Sequence, residues 1–329
     1  MALVLNEEQR LLQDTAREFL NSNAPVEALR TLRDNNDPLG YAPDLWRQMA
    51  ELGWASIILP EQYGGLEFGF LGLGVVLEES GRTLTASPLF ASAVVGASTV
   101  LIGGSENQKE DLLPQIATGE LTLALALEES CHHRPTHIAT SAAQQGDQYV
   151  VNGSKTFVLD GHSADKLIVV ARSGGEPKSP EGLTLLLVDR DSEGVTCQRT
   201  IMADSRNAAN ITFDNVSVSA DNVIGEPGKG FVYQMMQFQE ERLWIAVNAL
   251  KMLDVQIDRT IEYTRDRMRP SWYHSSERKR RWKWLRELPL VHKEGRFTFV
   301  HGSPRDPVRE YVLSTDGFLN PSKLRSIFE

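Results

Sequence analysis

A chain of 329 residues with 41 % hydrophobic residues and a formal net charge of −10 is composed as a globular protein of two or three domains with sizeable cores. No run approaches the roughly eighteen apolar residues of a membrane span, and the opening "MALVLNEEQRLL" lacks the basic flank and long apolar region of a secretory signal. Two cysteines, Cys131 and Cys197, exclude a disulfide framework and make a reducing, cytoplasmic setting the expectation.

Asn6 followed three residues later by Gln9 forms a capping-box pattern, and Leu12, Ala16, Phe19 and Leu20 then share one helical face. Further helical patterns cover 42–52, 70–82, 88–103 and 106–117, punctuated by "PEQYGG" at 60–65. Near residue 119 the apolar period changes to two. "YVVNGSKTFVL" carries two β-rich runs around Asn152-Gly153, which predicts a hairpin turn there. "KLIVVAR", "LTLLLVD" and "NITFDNVSV" follow as short strands, and "GEPGKG" at 225–230 reads as the loop before a helix rather than a phosphate-binding loop. From Gly230 the helical period returns, with Phe231, Met235, Phe238, Ile245, Ala249 and Met252 on one face. Helices, then strands, then helices predict an α+β fold with segregated layers.

On that last helix Arg242 falls on the apolar face, four residues after Phe238 and three before Ile245, with Glu241 beside it. An internal ion pair, or a guanidinium that snorkels to the rim, accounts for such a residue as readily as a site does. Cys131, His132, His133 and His137 cluster in a polar loop, but their spacing matches no standard zinc pattern. At residue 269 the charge balance reverses. The last 61 residues hold thirteen Lys and Arg against seven Asp and Glu, a net +6, which leaves −16 on the remaining 268.

Several stretches in order resemble the acyl-CoA dehydrogenase family over residues 1–267. "LNEEQRLLQDTAREFL" is similar to its opening helix and "LPEQYGG" to the turn of its N-terminal domain. "DQYVVNGSKTFVLDGHSADKLIVVAR" and "ITFDNVSVSADNVIGEPGKGF" resemble its central β-domain and the exit from it, and "QEERLWIAVNAL" and "TIEYTRDR" the opening of its C-terminal helices. The resemblance implies an N-terminal helical domain (1–118), a middle antiparallel β-domain (119–226) and the start of a truncated C-terminal helical domain (227–268). Residues 269–329 then form an unrelated, α/β-like basic tail.

The implied activity is FAD-dependent α,β-dehydrogenation of an acyl-CoA thioester, with electrons passing to an acceptor such as an electron-transfer flavoprotein. The implied assembly is a homo-oligomer, with no nucleic acid and no membrane as partner. Glu241 matches the position where a minority of the family carries the catalytic base, and Arg242 its neighbour. For the cofactor, Leu127, Glu128, Glu129 and Ser130 fall at the places of the flavin loop, with Glu128 retained. Phe157 and Leu159 stand where Trp and Thr usually meet the flavin; Phe157 can stack, whereas Leu159 donates no side-chain hydrogen bond. Arg267 matches an arginine that reaches FAD in a neighbouring subunit.

"RRWKWLRELPLVHKEGRFTFVHGSPRDPVREYVL", within about 280–325, resembles a fragment of calcineurin-like metallophosphoesterases, with His301 as the matching metal ligand at the tip of strand "RFTFV". The other ligands of that family are absent. Two further readings stand beside the dehydrogenase: a non-catalytic remnant or chimera joined near 268–276, and a metallophosphoesterase-type hydrolase.

Overall fold

The computed structural model describes residues 5–202, 204–232, 291–294 and 297–300. The helical layer comes first. α1 (Glu7–Asn23) begins at the expected capping box, with Asn6 and Gln9 each accepting the other's backbone N–H, and it buries Ala16 and Leu20. α2 (Val26–Asp34) and α3 (Pro43–Glu51) follow, and the Trp46 indole of α3 donates to the Gly119 carbonyl at 3.0 Å. α4 (Gly69–Thr83) is buried along most of its length and holds α1 through Glu79, which binds Arg17.

The stretch expected as one helix over 88–103 is a π-helical segment, Leu89–Gly96, that runs into α5 (Ala97–Gly103). Its reason lies outside the stretch. A Cβ on Gly96 would sit 2.5 Å from the Leu123 Cβ, so the glycine lets this segment lie directly on the first strand. The Ser92 hydroxyl accepts the Leu123 N–H at the same crossing. α6 (Glu106–Ala117) carries a second capping box, Ser105 with Gln108, and the Gln108 amide also donates to the carbonyls of Asp221 and Val223.

The strands are β1 (Leu123–Ala126), β2 (Ser141–Gln145), β3 (Gln148–Leu159), β4 (Lys166–Arg172), β5 (Leu183–Asp189), β6 (Val195–Ile201), β7 (Asn207–Ser219) and β8 (Val223–Ile224), in one sheet of order β6-β7-β3-β2-β4-β5-β8. The sheet is mainly antiparallel, as expected, with one correction: two strands run parallel to β4 on the same edge, β1 over Lys166–Val169 and β2 only at Arg172. "KLIVVAR" and "LTLLLVD" are nearly continuous apolar runs because both faces of β4 and β5 are covered. Ile168, Val170, Leu185 and Leu187 join the helical core. Leu167, Val169, Ala171, Leu186 and Val188 join a second core on the other face.

The hairpin expected at Asn152-Gly153 is not there. β3 runs straight through that dipeptide, and the turn is made by Gly146 and Asp147, between the paired Gln145 and Gln148. Asn152-Gly153 is a register shift inside the strand, where a Cβ on Gly153 would stand 2.5 Å from the Thr140 hydroxyl. Four strands, β1, β2, β6 and β8, lie in sequence that gave no strand signal.

The chain divides into two units, Met1–Gln256 and Ile257–Glu329. In the second, β9 (Val291–Glu294) pairs antiparallel with β10 (Phe297–Val300), the strand expected in "RFTFV".

Candidate functional site

An open, mostly apolar cleft lies where the π-helical segment, β1 and β3 meet, lined by Ala91, Val95, Leu125, Leu127, Glu128, His133, Phe157 and Leu159. Its far wall is made by a second irregularity in β3, between Lys155 and Val158. There Phe157 adopts a left-handed backbone, φ 58°, which is uncommon for any side chain and costly for an aromatic one. The bulge is held from both sides: Thr156 donates its hydroxyl to Asn210 at 2.8 Å and its N–H to the Glu128 carbonyl at 2.7 Å. The result is a Phe157 ring left 52 % exposed beside a partly exposed Leu159, over an apolar floor.

The near rim is the loop from Leu127 to Thr140. Lys155, whose side chain is 0 % exposed, donates from Nζ to the Leu127 carbonyl at 3.0 Å and to Glu129 Oε1 at 2.7 Å. Glu129 in turn accepts the N–H groups of Ala139 and Thr140. Burial pulls the Lys155 ammonium down to about 8 against the charge of Glu129. Burial pushes the Glu129 carboxyl up, but Lys155 and the loop N–H groups outweigh it and hold it below the ordinary range. At the far end of the loop Arg172 donates to five carbonyls, those of Thr136, Ile138, Gly174, Ser179 and Glu181. Glu128 turns the other way, into the cleft, where it accepts from His133 Nδ1 at 2.5 Å and from the Arg134 N–H at 3.3 Å.

Of the residues nominated from the sequence, Glu128, Phe157 and Leu159 therefore meet in one cleft. Ser130 does not line it; its hydroxyl donates to the His132 carbonyl at 3.1 Å. Cys131 Sγ lies 3.2 Å from His132 Nδ1, and among the described residues no group of three His, Cys, Asp or Glu could hold a metal ion. Glu241, Arg242, Arg267 and His301 lie outside the described residues. Glu129 belongs to the flavin-loop stretch read from the sequence, but its partner Lys155 was missed. A signal existed for Lys155, since strand alternation puts it on the same inward face as Val151.

An exposed aromatic ring beside aliphatic side chains fits the face of a planar ring system such as the isoalloxazine of FAD. Among the described residues no helix is long and apolar enough to cross a membrane.

Residues 6–120 match the acyl-CoA dehydrogenase N-terminal domain, and residues 128–216 match the middle domain of the same family. A cyclohex-1-ene-1-carbonyl-CoA dehydrogenase of Geobacter metallireducens is 34 % identical over 272 residues, 80 % of this chain and 70 % of that protein. The mitochondrial isovaleryl-CoA dehydrogenase of Pongo abelii is 31 % identical over 268 residues, 79 % of this chain and 62 % of its own length. The crystal structure of an acyl-CoA dehydrogenase from Geobacillus kaustophilus superposes with a TM-score of 0.74 at 29 % identity, over 87 % of this chain and 76 % of that one. None of these lends support to a metallophosphoesterase. The two domain matches, in order along the chain, and the 34 % identity to a dehydrogenase covered over 70 % of its length lead to one conclusion: this chain belongs to the acyl-CoA dehydrogenase family.

Proposed function

We propose that the chain is an FAD-dependent acyl-CoA dehydrogenase, removing the α-proton and the β-hydride of an acyl-CoA thioester to leave a trans double bond. The observation that carries this reading is the cleft in which Phe157, Leu159, Leu125 and Leu127 present an apolar, aromatic wall within a family member's β-domain. Bound there, FAD would supply the acceptor for the hydride. Phe157 would stack on the ring, and the aliphatic side chains around it would keep water from its face. Leu159 gives the ring edge no hydrogen bond, so polar contacts on this side fall to Glu128 and to backbone groups of the rim loop.

The α-proton of a thioester is weakly acidic, so the reaction needs a carboxylate in reach and donors for the developing enolate oxygen. Glu241 is the proposed base, with Arg242 fixing its surroundings and Arg267 serving the cofactor. Acyl-CoA as substrate, an electron-transfer flavoprotein as acceptor and a homo-oligomeric assembly belong to the same proposal.

Titration of the purified chain with FAD, followed by the visible flavin spectrum, tests it. Stoichiometric flavin that bleaches on adding acyl-CoA is the expected result, with Glu241→Gln keeping the flavin but not the bleaching. A colourless protein that ignores FAD would refute the proposal and leave a family remnant without its chemistry.

A further inference from the structure

We infer that Lys155 is a positioning residue for the cleft: through Leu127 and Glu129 it sets the separation between the Phe157 wall and the Glu128 rim, and with it the affinity for a planar ligand. The inference rests on the reading of the cleft as a flavin site.

Lys155 stands two residues before Phe157 on β3, on the strand's buried side, with no exposed side-chain surface. Its two bonds both go to the rim loop, one to the carbonyl of Leu127 and one to the carboxylate of Glu129, the residues on either side of Glu128. The Thr156 N–H adds a third tie, to the carbonyl of Glu128 itself. Glu129 passes the restraint on to Ala139 and Thr140, where the loop rejoins the sheet at β2. One buried cation thus fixes both ends of a fourteen-residue excursion, Leu127 to Thr140 inclusive of its anchors, to the strand that carries the cleft's aromatic wall.

The chemistry explains why a lysine serves here. A buried ammonium must find acceptors, and a carbonyl and a carboxylate from one loop satisfy it only when that loop is seated. Losing the ammonium would leave the Leu127 carbonyl and the Glu129 carboxylate in competition for water. The loop would then lift from β3, carrying Glu128 and Leu127 away from Phe157. Displacements of about 0.5 Å are enough to degrade a binding site whose supporting groups have been lost.

The test uses the full chain and its Lys155→Met variant, which keeps the apolar stem. Hydrogen exchange of the apo protein reads the loop directly, at the amides of Ala139, Thr140 and Thr156, with α3 and α6 peptides as controls for general unfolding. FAD titration reads the cleft as a dissociation constant of the folded protein, which a loss of stability alone does not move.

Loop exchange faster by about tenfold or more with unchanged controls, and an FAD dissociation constant raised by about tenfold or more, are expected. Unchanged loop exchange overturns the inference, and so does a loosened loop with unaltered affinity. A wild-type chain that ignores FAD would sink the flavin reading instead. The clamp is then decided by exchange alone, upheld by a faster loop and overturned by an unchanged one. If Lys155→Met does not fold, Glu129→Gln replaces it with the same readouts and the same outcomes.

Discussion

Glu79 is the most deeply buried acid of the helical layer, 1 % exposed, and it receives two arginines that are not buried to the same degree. Arg17 of α1 meets it through both Nε and Nη2, at 3.3 and 2.8 Å. Arg82, one turn on in α4, approaches at 3.2 Å through an Nε that is not aligned for a hydrogen bond. Arg17 is 38 % and Arg82 30 % exposed, so either guanidinium can turn to water, whereas the carboxylate cannot. The asymmetry predicts which deletion hurts. Glu79→Gln keeps the shape and frees two cations that can solvate, at a cost of about 1 kcal/mol, the net worth of an ordinary hydrogen bond. Arg17→Met with Arg82→Met keeps the apolar stems but strands a buried charge, at about 3–5 kcal/mol. Adding Glu79→Gln to that pair should recover most of the loss. Native-state hydrogen exchange of the α1 and α4 amides in each variant gives the comparison. A Glu79→Gln variant as unstable as the double arginine variant would refute the reasoning, because the cost would then follow the number of bonds lost and not the burial of the group left behind.

Three further outcomes are expected. Burial pushes the Asp160 carboxyl up to about 7, against its bond to Asn207 and the charge of Arg206. The folded chain then holds a proton that the unfolded chain releases near its ordinary value of about 3.9, so this group's contribution is complete below that value and is lost as pH rises through about 7. The stability advantage of Asp160→Asn over the parent should therefore grow from pH 4 to 7 in urea midpoints, and parallel curves would contradict it. Phe157→Asn exchanges an exposed ring for a residue that tolerates the left-handed region, so it should stabilise the chain by about 0.5–1 kcal/mol while weakening FAD binding. A variant that loses both stability and affinity would mean the ring packs rather than binds. Arg172→Leu removes the donors of five carbonyls and should cost about 2–3 kcal/mol, with faster exchange at 134–138 and 173–182 and partial recovery in Arg172→Lys.

The helical layer was legible because its signals are local. Asn6 and Gln9 cap α1 as their spacing dictates, and the apolar period places Ala16 and Leu20 in the core. The misreadings share a cause: each was decided by a partner distant in sequence. Asn152-Gly153 has the composition of a tight turn, but the same glycine serves where a strand must pass close to another residue, and that residue is Thr140. The π-helical segment answers to Leu123 across the layer boundary, which nothing within 88–103 announces.

The site divides in the same way. Phe157 and Leu159 are visible in the motif that precedes them, but Ala91, Val95 and Leu125 reach the cleft only through the fold. The adjacent acids of "LEES" make the point most sharply. An extended chain sends neighbouring side chains to opposite sides, so of Glu128 and Glu129 one must face the cleft and the other the interior. The sequence resemblance singles out Glu128 as the retained acid, yet the carboxylate built into the framework is Glu129, because it is the one the Lys155 ammonium reaches. Lys155 also takes the Leu127 carbonyl, so the residues on both sides of Glu128 are tied to β3. The chemistry of a two-residue motif is thus fixed by a lysine 26 residues away on β3, and Glu128 is left in the cleft because its neighbour is spoken for.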